Sequence, residues 1–557
     1  MKESATDKYR KRYTKLAQEF NTGWRPHLLE IAKYLMTRKN QYLDVDSGKA
    51  NDGSKRNASV IDNTGGRALR ILAAGMQSGL TSPARPWFRL GLADKDLEEY
   101  APVRVWLDEV QKRMMTIFSK SNFYSAVHSI YGEMGGFGTG AMLIEEDFTH
   151  VIRCYPFTIG EYFIATNASG RVDTIYRKFS LTALSLVGKF GKDNVSKQIQ
   201  GYIDSDNGDQ WVKVIHAIEP NRDIVPGKKG VKNKPWISVY FEENCEDKDK
   251  FLRESGYDVF PVMAPRWDTT GSEVYGRGPG MDALPDIKML QKMQELGLKA
   301  LAKVVDPPMN APSNMKDSAK SIIPGGVTYV DTQQGQQGFS PTFQINPDLN
   351  SMEFKIERTQ TAIDQTFFKD LFLMISASNK TNMTATEVIE RHEEKLLMVG
   401  PVVERLQPEL LDRSIDRVYD IMENNNLLPE PPPELEGMDI EVEYISLLAQ
   451  AQKAVGISSL EQTVNFAGSL SELWPEARHK LNALQAIDEF AKMAGAPVSV
   501  VVSDEEVEAK IQAEAQQIAE AQQKEDAARA IQGAKTLSET DTEKPSALKA
   551  VAETGAV

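Results

Sequence analysis

The first half of the chain changes from a helical to a strand-like pattern of apolar residues. Apolar positions recur at helical spacing in residues 1–38, 66–78, 102–119 and 121–134. Beyond 140, short β-branched or aromatic runs are separated by turns, which predicts antiparallel strands. These runs are AMLIEED, HVIRCYPF, EYFIATN, VDTIYRKF, WVKVIHAIEP and WISVYFEE. The first half is therefore predicted to be mixed α+β.

The second half is predicted to be mainly helical. Residues 281–305 and 352–375 have helical periodicity, and a Gly/Pro/Gln-rich section with the strand-like pieces GGVTYVD and PTFQIN separates them. A capping-box pattern at Thr384 opens a long helical region that runs to about residue 425. Pro401 and Pro408 interrupt this region, so the sequence predicts kinks there.

Polar and proline-rich stretches divide these elements. They are a turn-rich, flexible loop at 40–64, a short polar loop at 376–383 (SASNKTNM) and a stiff proline-rich linker at 429–436. Helices are predicted to resume from 444 to about 494 and from 503 to about 532, and residues 533–557 are predicted to be disordered.

Composition indicates a folded protein of several domains. The chain has 557 residues, of which 41% are hydrophobic, which allows a large core in two to four domains. No apolar run approaches the roughly 20 residues of a membrane span. The N-terminal sequence lacks the apolar core of a secretory signal, so export by that route is not expected.

Charge and cysteine content limit the possible functions. The net charge is −14, whereas a protein that grips DNA over a wide surface is usually basic. An acidic surface is still compatible with DNA that slides past it. The two cysteines, Cys154 and Cys245, form no CxxC pair, which excludes a zinc ribbon and fits a reducing, cytoplasmic setting.

Two glycine-rich stretches resemble phosphate-binding loops only superficially. Residues 136–141 match GxGxxG/A, but a helix precedes them and a strand follows, which reverses the order that a dinucleotide site needs. A tight helix-to-strand turn is the better interpretation. The stretch 275–280 lacks the GK[ST] ending of a phosphate loop, which occurs nowhere in the chain. An ATP-driven motor is therefore not supported.

No pattern in the chain requires catalysis. The six histidines are scattered, no HExxH or GxSxG motif occurs, and most carboxylates stand at helical spacing beside Lys or Arg. The sequence predicts a protein that is not an enzyme and has no cofactor, no metal site and no catalytic residues.

Four stretches, in this order and spacing, resemble the portal (head-to-tail connector) proteins of short-tailed double-stranded DNA phages. The resemblance extends from about residue 10 to 490. The stretches are RALRILAAGMQSGLTSP with the following RPWF, YGRGP with ALPDIK, TATEVIER, and LLPEPPPEL with EYIS.

The resemblance implies a helix-rich α+β subunit of a cyclic ring of roughly twelve copies around a channel. It also implies the portal parts, which we place by number. They are a wing at 1–280, a first stem helix at 281–305, a clip at 306–351, a second stem helix at 352–375, a tunnel loop at 376–383, a kinked helix joining channel to wing at 384–430, a helical crown at 431–532 and a tail at 533–557.

The tunnel loop is the candidate DNA-contacting site. In the family this position projects into the narrowest part of the channel, which implies that Asn379, Lys380, Thr381 and Asn382 contact passing DNA. Lys380 is the only charged residue of the loop, and a lysine can touch a phosphate without fixing register. The alternative is that Lys380 pairs with an acidic neighbour, for example on the next subunit.

The same resemblance implies the partners and the location. They are other copies of the chain, double-stranded DNA in the channel, the terminase packaging motor, tail adaptor proteins, and capsid and scaffolding proteins, with no membrane. The protein is expected at the portal vertex of the virion after assembly in the host cytoplasm. Two alternatives stay open: another virion structural protein, such as a tail adaptor or tube component, and an enzyme of nucleic acid metabolism.

Overall fold

The computed structural model separates into two compact units, residues 1–452 and 453–557. The description that follows covers the residues whose placement is defined. These are 4–44, 53, 57–94, 97–98, 100–225, 230–245, 247, 250–305, 309–310, 340–341, 348–377, 399–435, 438, 440–445, 463–471, 474, 476, 480, 482–494, 507, 510–519, 522, 524 and 529.

Three helices enclose the main core of the first unit, and all three were predicted from periodicity. They are α4 (Thr64–Leu80), α5 (Ala101–Lys120) and α6 (Phe123–Phe137). Helix α4 packs against α6 and buries an apolar residue at every third or fourth position. The buried apolar residues of α4 are Ala68, Leu69, Leu72, Ala73, Met76 and Leu80.

An aromatic cluster fills the centre of this core. Phe118 and Phe123 lie 4.3 Å apart between ring centroids, and Trp87 lies 4.7 Å from Phe88. All four rings are fully buried, and the Trp87 indole donates a hydrogen bond to the hydroxyl of Tyr124 at 3.3 Å. The Arg-Pro-Trp-Phe motif is therefore an anchor of the core.

Antiparallel strands form two sheets, as the sequence predicted. In the three-stranded sheet, β2 (Ala141–Asp147) lies between β3 (Val151–Phe157) and the short β9 (Val262–Met263). The five-stranded sheet is a meander in chain order. Its strands are β4 (Tyr162–Thr166), β5 (Val172–Thr182), β6 (Trp211–Pro220), β7 (Trp236–Glu242) and β8 (Arg253–Tyr257).

Helices cover both faces of the five-stranded sheet. On one face, α1 (Asp7–Gly23) packs Tyr9 against the alternate sheet residues Tyr176, Ile215, Ala217, Val239 and Phe241. On the other face, α7 (Ala183–Phe190) and α8 (Lys197–Asp204) form a second cluster with Val214 and Tyr240. The alternation of side chains along a strand explains this division.

The N-terminal helical region is divided rather than continuous. Helix α1 is followed by α2 (Arg25–Tyr34), a 3₁₀ turn at Thr37–Lys39 and the short helix α3 (Asn40–Leu43). The predicted loop 40–64 therefore begins with a helical turn, and its last residue, Thr64, already belongs to α4.

The second predicted stem helix, 352–375, is in fact two helices. After α9 (Pro279–Asp282) and α10 (Leu284–Val305), α11 (Leu349–Thr366) is separated from α12 (Lys369–Ala377) by Phe367 and Phe368. Phe368 has a left-handed backbone, with φ of 54°, which no helix can continue through.

The section predicted as a clip, 306–351, is described only in part. Met309–Asn310 (β10) pairs antiparallel with Ser340–Pro341 (β11), and α11 already begins at Leu349, inside the predicted range. The strand-like pieces GGVTYVD and PTFQIN lie mostly outside the described residues.

The long helical region is described from residue 399. Helical residues 399–406 lead into a single π-turn at Gln407–Leu411 and then into α13 (Asp412–Asn424). Pro408 lies in the π-turn, so the predicted interruption is present at that residue. A proline without an N–H group favours such a local widening of the helix.

The predicted helical crown, 431–532, begins instead with a 3₁₀ turn at Pro433–Leu435 and the strand β12 (Ile440–Tyr444). Strand β12 pairs antiparallel with β1 (Phe88–Leu92), which attaches this segment to the main core. The alternating sequence IEVEY explains the strand. The purely helical prediction was wrong for these residues.

The second unit is helical where it is described. It contains α14 (Ala483–Ala494) and a helical stretch at 510–519, whose residues are exposed. Helix α14 leaves Ile487 and Phe490 exposed as well. The predicted disordered tail, 533–557, lies outside the described residues.

Candidate functional site

Helices α10 and α11 pack against each other as a hairpin, and the segment predicted as a clip connects them along the chain. The absence of a side chain at Gly297 allows close contact: a Cβ atom there would lie 2.7 Å from the Cε atom of Met352. Such a separation is below ordinary van der Waals contact. The two stem helices expected from the sequence therefore do lie side by side.

Asp62 binds both helices of the hairpin at its base. Its Oδ2 atom accepts hydrogen bonds from the side-chain amides of Gln294 at 3.2 Å and Gln360 at 2.8 Å. Its Oδ1 atom accepts from the backbone N–H of Thr64 at 2.8 Å. Gln291 adds contacts to the backbone of the same segment, donating to the Asp62 carbonyl and accepting from the N–H groups of Ile61 and Asp62.

The environment keeps Asp62 ionised. Burial raises its pKa, but the hydrogen bonds from Thr64, Gln360 and Gln294 outweigh burial and leave the pKa below its ordinary value. The end of loop 40–64, which was predicted to be flexible, is thus held against the hairpin by these hydrogen bonds. Sequence reasoning missed Asp62, although an Asp two residues before a helix start is a capping signal.

Helix α10 is buried near its start and exposes apolar side chains mainly in its second half. Leu284, Ile287 and Leu290 are buried. The exposed apolar side chains are between 46% and 77% exposed, namely Met289, Leu296, Leu298, Leu301, Val304 and Val305. Apolar helix surface requires burial, and the described part of the chain leaves these six side chains, the apolar stripe of α10, uncovered.

The charges on α10 are arranged within the helix. Glu295 is paired with Lys299 and with Lys292, at 2.9 Å for the latter. Hydrogen bonds from these lysines lower the pKa of Glu295 to about 2. Such exposed pairs contribute little to stability, but they leave the apolar stripe free of unpaired carboxylates beside it.

The break after α11 redirects the chain toward the predicted tunnel loop. The ring of Phe368 stacks on Trp267 at 6.1 Å, and Phe372 on α12 packs directly against Gly75 of α4. A Cβ atom at Gly75 would overlap the Phe372 ring. This close approach fixes α12 on the main core.

The predicted DNA-contacting residues themselves are not described. Ser376 and Ala377, the first two residues of the predicted loop, form the end of α12. Asn379, Lys380, Thr381 and Asn382 lie outside the described residues. The structure therefore places the start of the loop but does not test their contacts.

A buried ion pair fastens the π-turn to the sheet region. The Arg266 guanidinium donates to the carboxylate of Glu409, with Nε 3.1 Å from Oε1, and its backbone N–H donates to Oε2 at 2.9 Å. Arg266 also donates to the carbonyl of Gly170 at 2.8 Å. Only 6% and 12% of the two side chains is exposed. Sequence reasoning missed this pair because its members are 143 residues apart.

The two glycine-rich stretches contact each other. Helix α6 ends at Phe137, Gly138 is left-handed with φ of 79°, and β2 begins at Ala141, so the tight-turn interpretation is confirmed. The backbone N–H of Gly276 donates to the Thr139 hydroxyl at 2.7 Å. A Cβ atom at Gly138 would overlap the Gly276 carbonyl. Both stretches are packing elements.

The buried carboxylate of Glu133 has a structural partner. Burial raises the pKa of Glu133, and the neighbouring Lys39 ammonium opposes that shift. In the described part of the chain, no cluster of three or more His, Cys, Asp or Glu could hold a metal ion. None of the described helices is both long enough and apolar enough to cross a membrane.

Comparison with known proteins identifies the family. The model of the family "Bacteriophage head to tail connecting protein" matches residues 6–501. The chain is 45% identical over 553 residues to the portal protein of Salmonella phage epsilon15, covering 99% of each chain. It is 42% identical over 531 residues to the probable portal protein of Bordetella phage BPP-1, covering 94% of each.

A chain from the virion of a native gene transfer agent particle was also found among solved structures. It has 12% sequence identity, covers 78% of this chain and 90% of its own, and has a TM-score of 0.35. The helices and antiparallel sheets of the structure are consistent with the predicted helix-rich α+β class. The two curated relatives and the family match confirm the resemblance to phage portal proteins. The chain therefore belongs to the family of bacteriophage head-to-tail connecting proteins.

Proposed function

We propose that this chain is the portal subunit of a double-stranded DNA phage. Copies of it form a ring at one capsid vertex, through which the genome enters during packaging and leaves during ejection. The observation that carries the proposal is 45% identity to a portal protein across 99% of both chains. The proposal assigns the protein a structural role, without a catalytic step.

The exposed apolar side chains of α10, its apolar stripe, support a ring. Six such side chains are too many for a helix that faces only water. In a cyclic assembly the same stripe on every copy packs against the neighbouring hairpin, so each subunit is buried on both sides. We propose a ring of roughly twelve copies.

The portal parts follow from the elements. We propose that residues 1–280 form the wing, α10 and α11 the stem, and 306–348 the clip between them. The tunnel loop follows α12, and the long helix through the π-turn joins channel to wing. Because β12 pairs with β1 in the first unit, the crown is proposed to begin in the second unit, after residue 452.

Purified protein tests the ring directly. Negative-stain images are expected to show closed rings with a central hole, and light scattering is expected to show little monomer at micromolar concentration. A purely monomeric protein would contradict the proposal, because the α10 stripe would then be stable in water.

The tunnel loop is proposed to contact DNA through Lys380, with Asn379, Thr381 and Asn382 as neutral hydrogen-bonding groups. Cyclic symmetry repeats one lysine around the channel, and neutral groups can contact phosphate oxygens regardless of sequence. In the virus, Lys380→Glu should leave rings intact and reduce packaging or retention of the genome. Wild-type packaging, retention and ejection in this variant would show that the loop is a passive connector.

The clip is proposed to dock the packaging motor and later the tail adaptor. Its proline, glycine and glutamine content suits a partner-binding surface. Deleting 330–339 leaves β11 in place, so rings should still form while packaging or tail attachment fails. If the deletion variant still produces infectious particles, the assignment of this segment as the docking site is wrong. We also propose capsid and scaffolding proteins as partners during assembly in the host cytoplasm.

A further inference from the structure

A cavity of about 660 Å³ lies at the edge of the five-stranded sheet. Strand β4 pairs with β5 as far as Arg177, and the backbone N–H of Lys178 still donates to the Glu161 carbonyl, so the unpaired edge of β5 begins beyond Lys178. The cavity occupies this edge and is closed by residues of α1 and α3. It lies in the region proposed as the wing, away from the stem hairpin.

The guanidinium of Arg177 is clamped between two aromatic rings in this cavity. Its Cζ atom lies 4.2 Å from the centroid of Phe157 and 4.4 Å from that of Phe179. Stacking on both faces holds the guanidinium in one orientation through cation–π attraction. Only the edge of the planar group, where its N–H donors lie, is left for hydrogen bonding.

That edge has no partner within the described part of the chain. The Nε–H group of Arg177 is buried and donates to no described acceptor, and no described carboxylate forms a salt bridge with the side chain. Burial lowers the pKa of Arg177, partly opposed by the Glu161 carboxylate, but an arginine stays protonated at neutral pH. A buried charge without a hydrogen-bonded counterion is costly.

Two of the carboxylates that line the cavity accept hydrogen bonds from other groups. Glu161 accepts a hydrogen bond from the backbone N–H of Thr158 at 3.0 Å. Glu145 accepts one from the hydroxyl of Tyr240 at 3.0 Å. Neither forms a described hydrogen bond or ion pair with Arg177, although the charge of Glu161 opposes the effect of burial on the arginine.

Four further cationic residues line the same cavity, and two of them, Arg25 and Lys178, are bound to the Leu43 carbonyl and to Glu243, respectively. Lys189 lies over the rings of Tyr240 at 5.5 Å and Tyr155 at 5.8 Å, and Lys213 stands on β6 opposite Ser180. Neither lysine forms a salt bridge with a described carboxylate. The cavity thus combines one oriented guanidinium with two unpaired ammonium groups, in a protein whose net charge is −14.

We propose that this cavity binds an oxyanion, a phosphate or carboxylate group, held in the plane of the Arg177 guanidinium and neutralised by Lys189 and Lys213. The planar fork of an arginine matches two oxygens of such a group. The oxyanion has two possible sources: a free phosphate-bearing molecule, or a carboxylate of a neighbouring copy in the ring.

The test uses assembled rings and inorganic phosphate. Thermal unfolding and calorimetric titration compare phosphate with chloride at equal ionic strength, for the wild type, Arg177→Met and Arg177→Lys. Arg222→Met removes one exposed positive charge outside the cavity and serves as the matched control. A cryo-electron microscopy map of the wild-type ring shows what lies against the edge of the Arg177 guanidinium.

A free ligand predicts that phosphate raises the Tm of the wild type and of Arg222→Met, while Arg177→Met loses the response and Arg177→Lys keeps a weakened one. If Arg177→Met does not fold, the weaker phosphate affinity of Arg177→Lys serves as the test instead. If the oxyanion belongs to a neighbouring subunit, phosphate should have no effect on the Tm, and the map should show a carboxylate of that subunit against Arg177. The proposal is overturned if phosphate acts equally on the wild type and the Arg177 variants, or if there is neither a response nor a carboxylate.

Discussion

The main core and the stem hairpin are both built from amphipathic helices, but they bury different shares of their apolar surface. In α4, Leu72 and Met76 are at most 1% exposed, and aromatic rings fill the space beside them. In α10, Leu298 is 56% and Val305 is 77% exposed. Within one chain, the core buries its apolar side chains, whereas the hairpin leaves several of them exposed.

Their polar anchors differ in the same way. The core is fastened by the buried Arg266–Glu409 pair, whose members are almost inaccessible to water. The hairpin is fastened by the half-buried Asp62, which binds neutral glutamine amides. A charge pair in the interior is costly to break, whereas hydrogen bonds near the surface can be exchanged for water.

This difference in burial indicates that the core is stable within one subunit, whereas the hairpin needs contacts with neighbouring subunits to bury its apolar side chains. Substitutions in the core should change the free energy of unfolding of the subunit. Substitutions on the outer face of the hairpin should leave that free energy unchanged and act on assembly instead.

The largest effect on subunit stability is expected from Glu409→Ala. It leaves the buried Arg266 guanidinium without its counterion, which costs about 3–5 kcal/mol. Urea unfolding followed by tryptophan fluorescence measures the loss. The matched control is Glu273→Ala, because Glu273 also pairs with an arginine, Arg277, but at the surface. For Glu273→Ala the loss in free energy of unfolding should stay below about 1 kcal/mol. Equal losses in the two variants would contradict the difference between the buried and the exposed ion pair.

Gly138→Ala should cost slightly less, about 2–5 kcal/mol, from left-handed backbone strain together with overlap of the new Cβ with the Gly276 carbonyl. Gly170→Ala separates the two causes. Gly170 has a similar φ of 75°, but nothing lies within 4 Å of a Cβ there. It should lose only about 1–2 kcal/mol. A Gly138 variant no less stable than the Gly170 variant would show that the two glycine stretches do not interlock.

The elements that local sequence determines were predicted well. Helix α10 and strands β4 to β7 of the meander follow from periods of 3.6 and 2 residues and from turn residues at their ends, whereas β8 was not predicted. Their boundaries mostly agree within a few residues. The tight turn at Gly138 was also predictable, since the order of helix, glycines and strand is visible in the sequence.

Features determined by distant contacts were not predictable. No proline or glycine marks the break between α11 and α12. It arises because Phe368 stacks on Trp267 while Phe372 packs on Gly75. Strand β12 lies in the segment that was predicted as a helical crown, and it forms where it pairs with the distant strand β1. The hydrogen bonds of Asp62 with Gln360 and of Glu409 with Arg266 join residues 298 and 143 positions apart.

A smaller effect is expected from Asp62→Asn, at the anchor of the hairpin. Removing the charge weakens the accepted hydrogen bonds by about 1 kcal/mol, since the site is half exposed. The folded pKa of Asp62 is below its ordinary value of 3.8, so this stability is present above about pH 4 and is lost as the pH falls through the folded pKa. Unfolding of the wild type and the variant should therefore differ at pH 6 and converge near pH 2. A difference in free energy of unfolding that does not change with pH would show that the charge of Asp62 does not contribute to stability.

The smallest effect on subunit stability, and the sharpest test of the comparison, is expected from Leu298→Glu in the exposed second half of α10. The side chain is already 56% exposed, so the free energy of unfolding of the subunit should change by no more than about 0.5 kcal/mol. In a ring the same position is proposed to meet the neighbouring hairpin, where an unpaired carboxylate would be buried once per subunit, at a cost that cyclic symmetry multiplies. Mass photometry should show rings for the wild type and smaller species for Leu298→Glu. Leu184→Glu is the matched control, because Leu184 is 63% exposed on α7, outside the hairpin, and it should still form rings. Rings of normal size from Leu298→Glu would mean that the exposed stripe on α10 is not the surface that joins one subunit to the next.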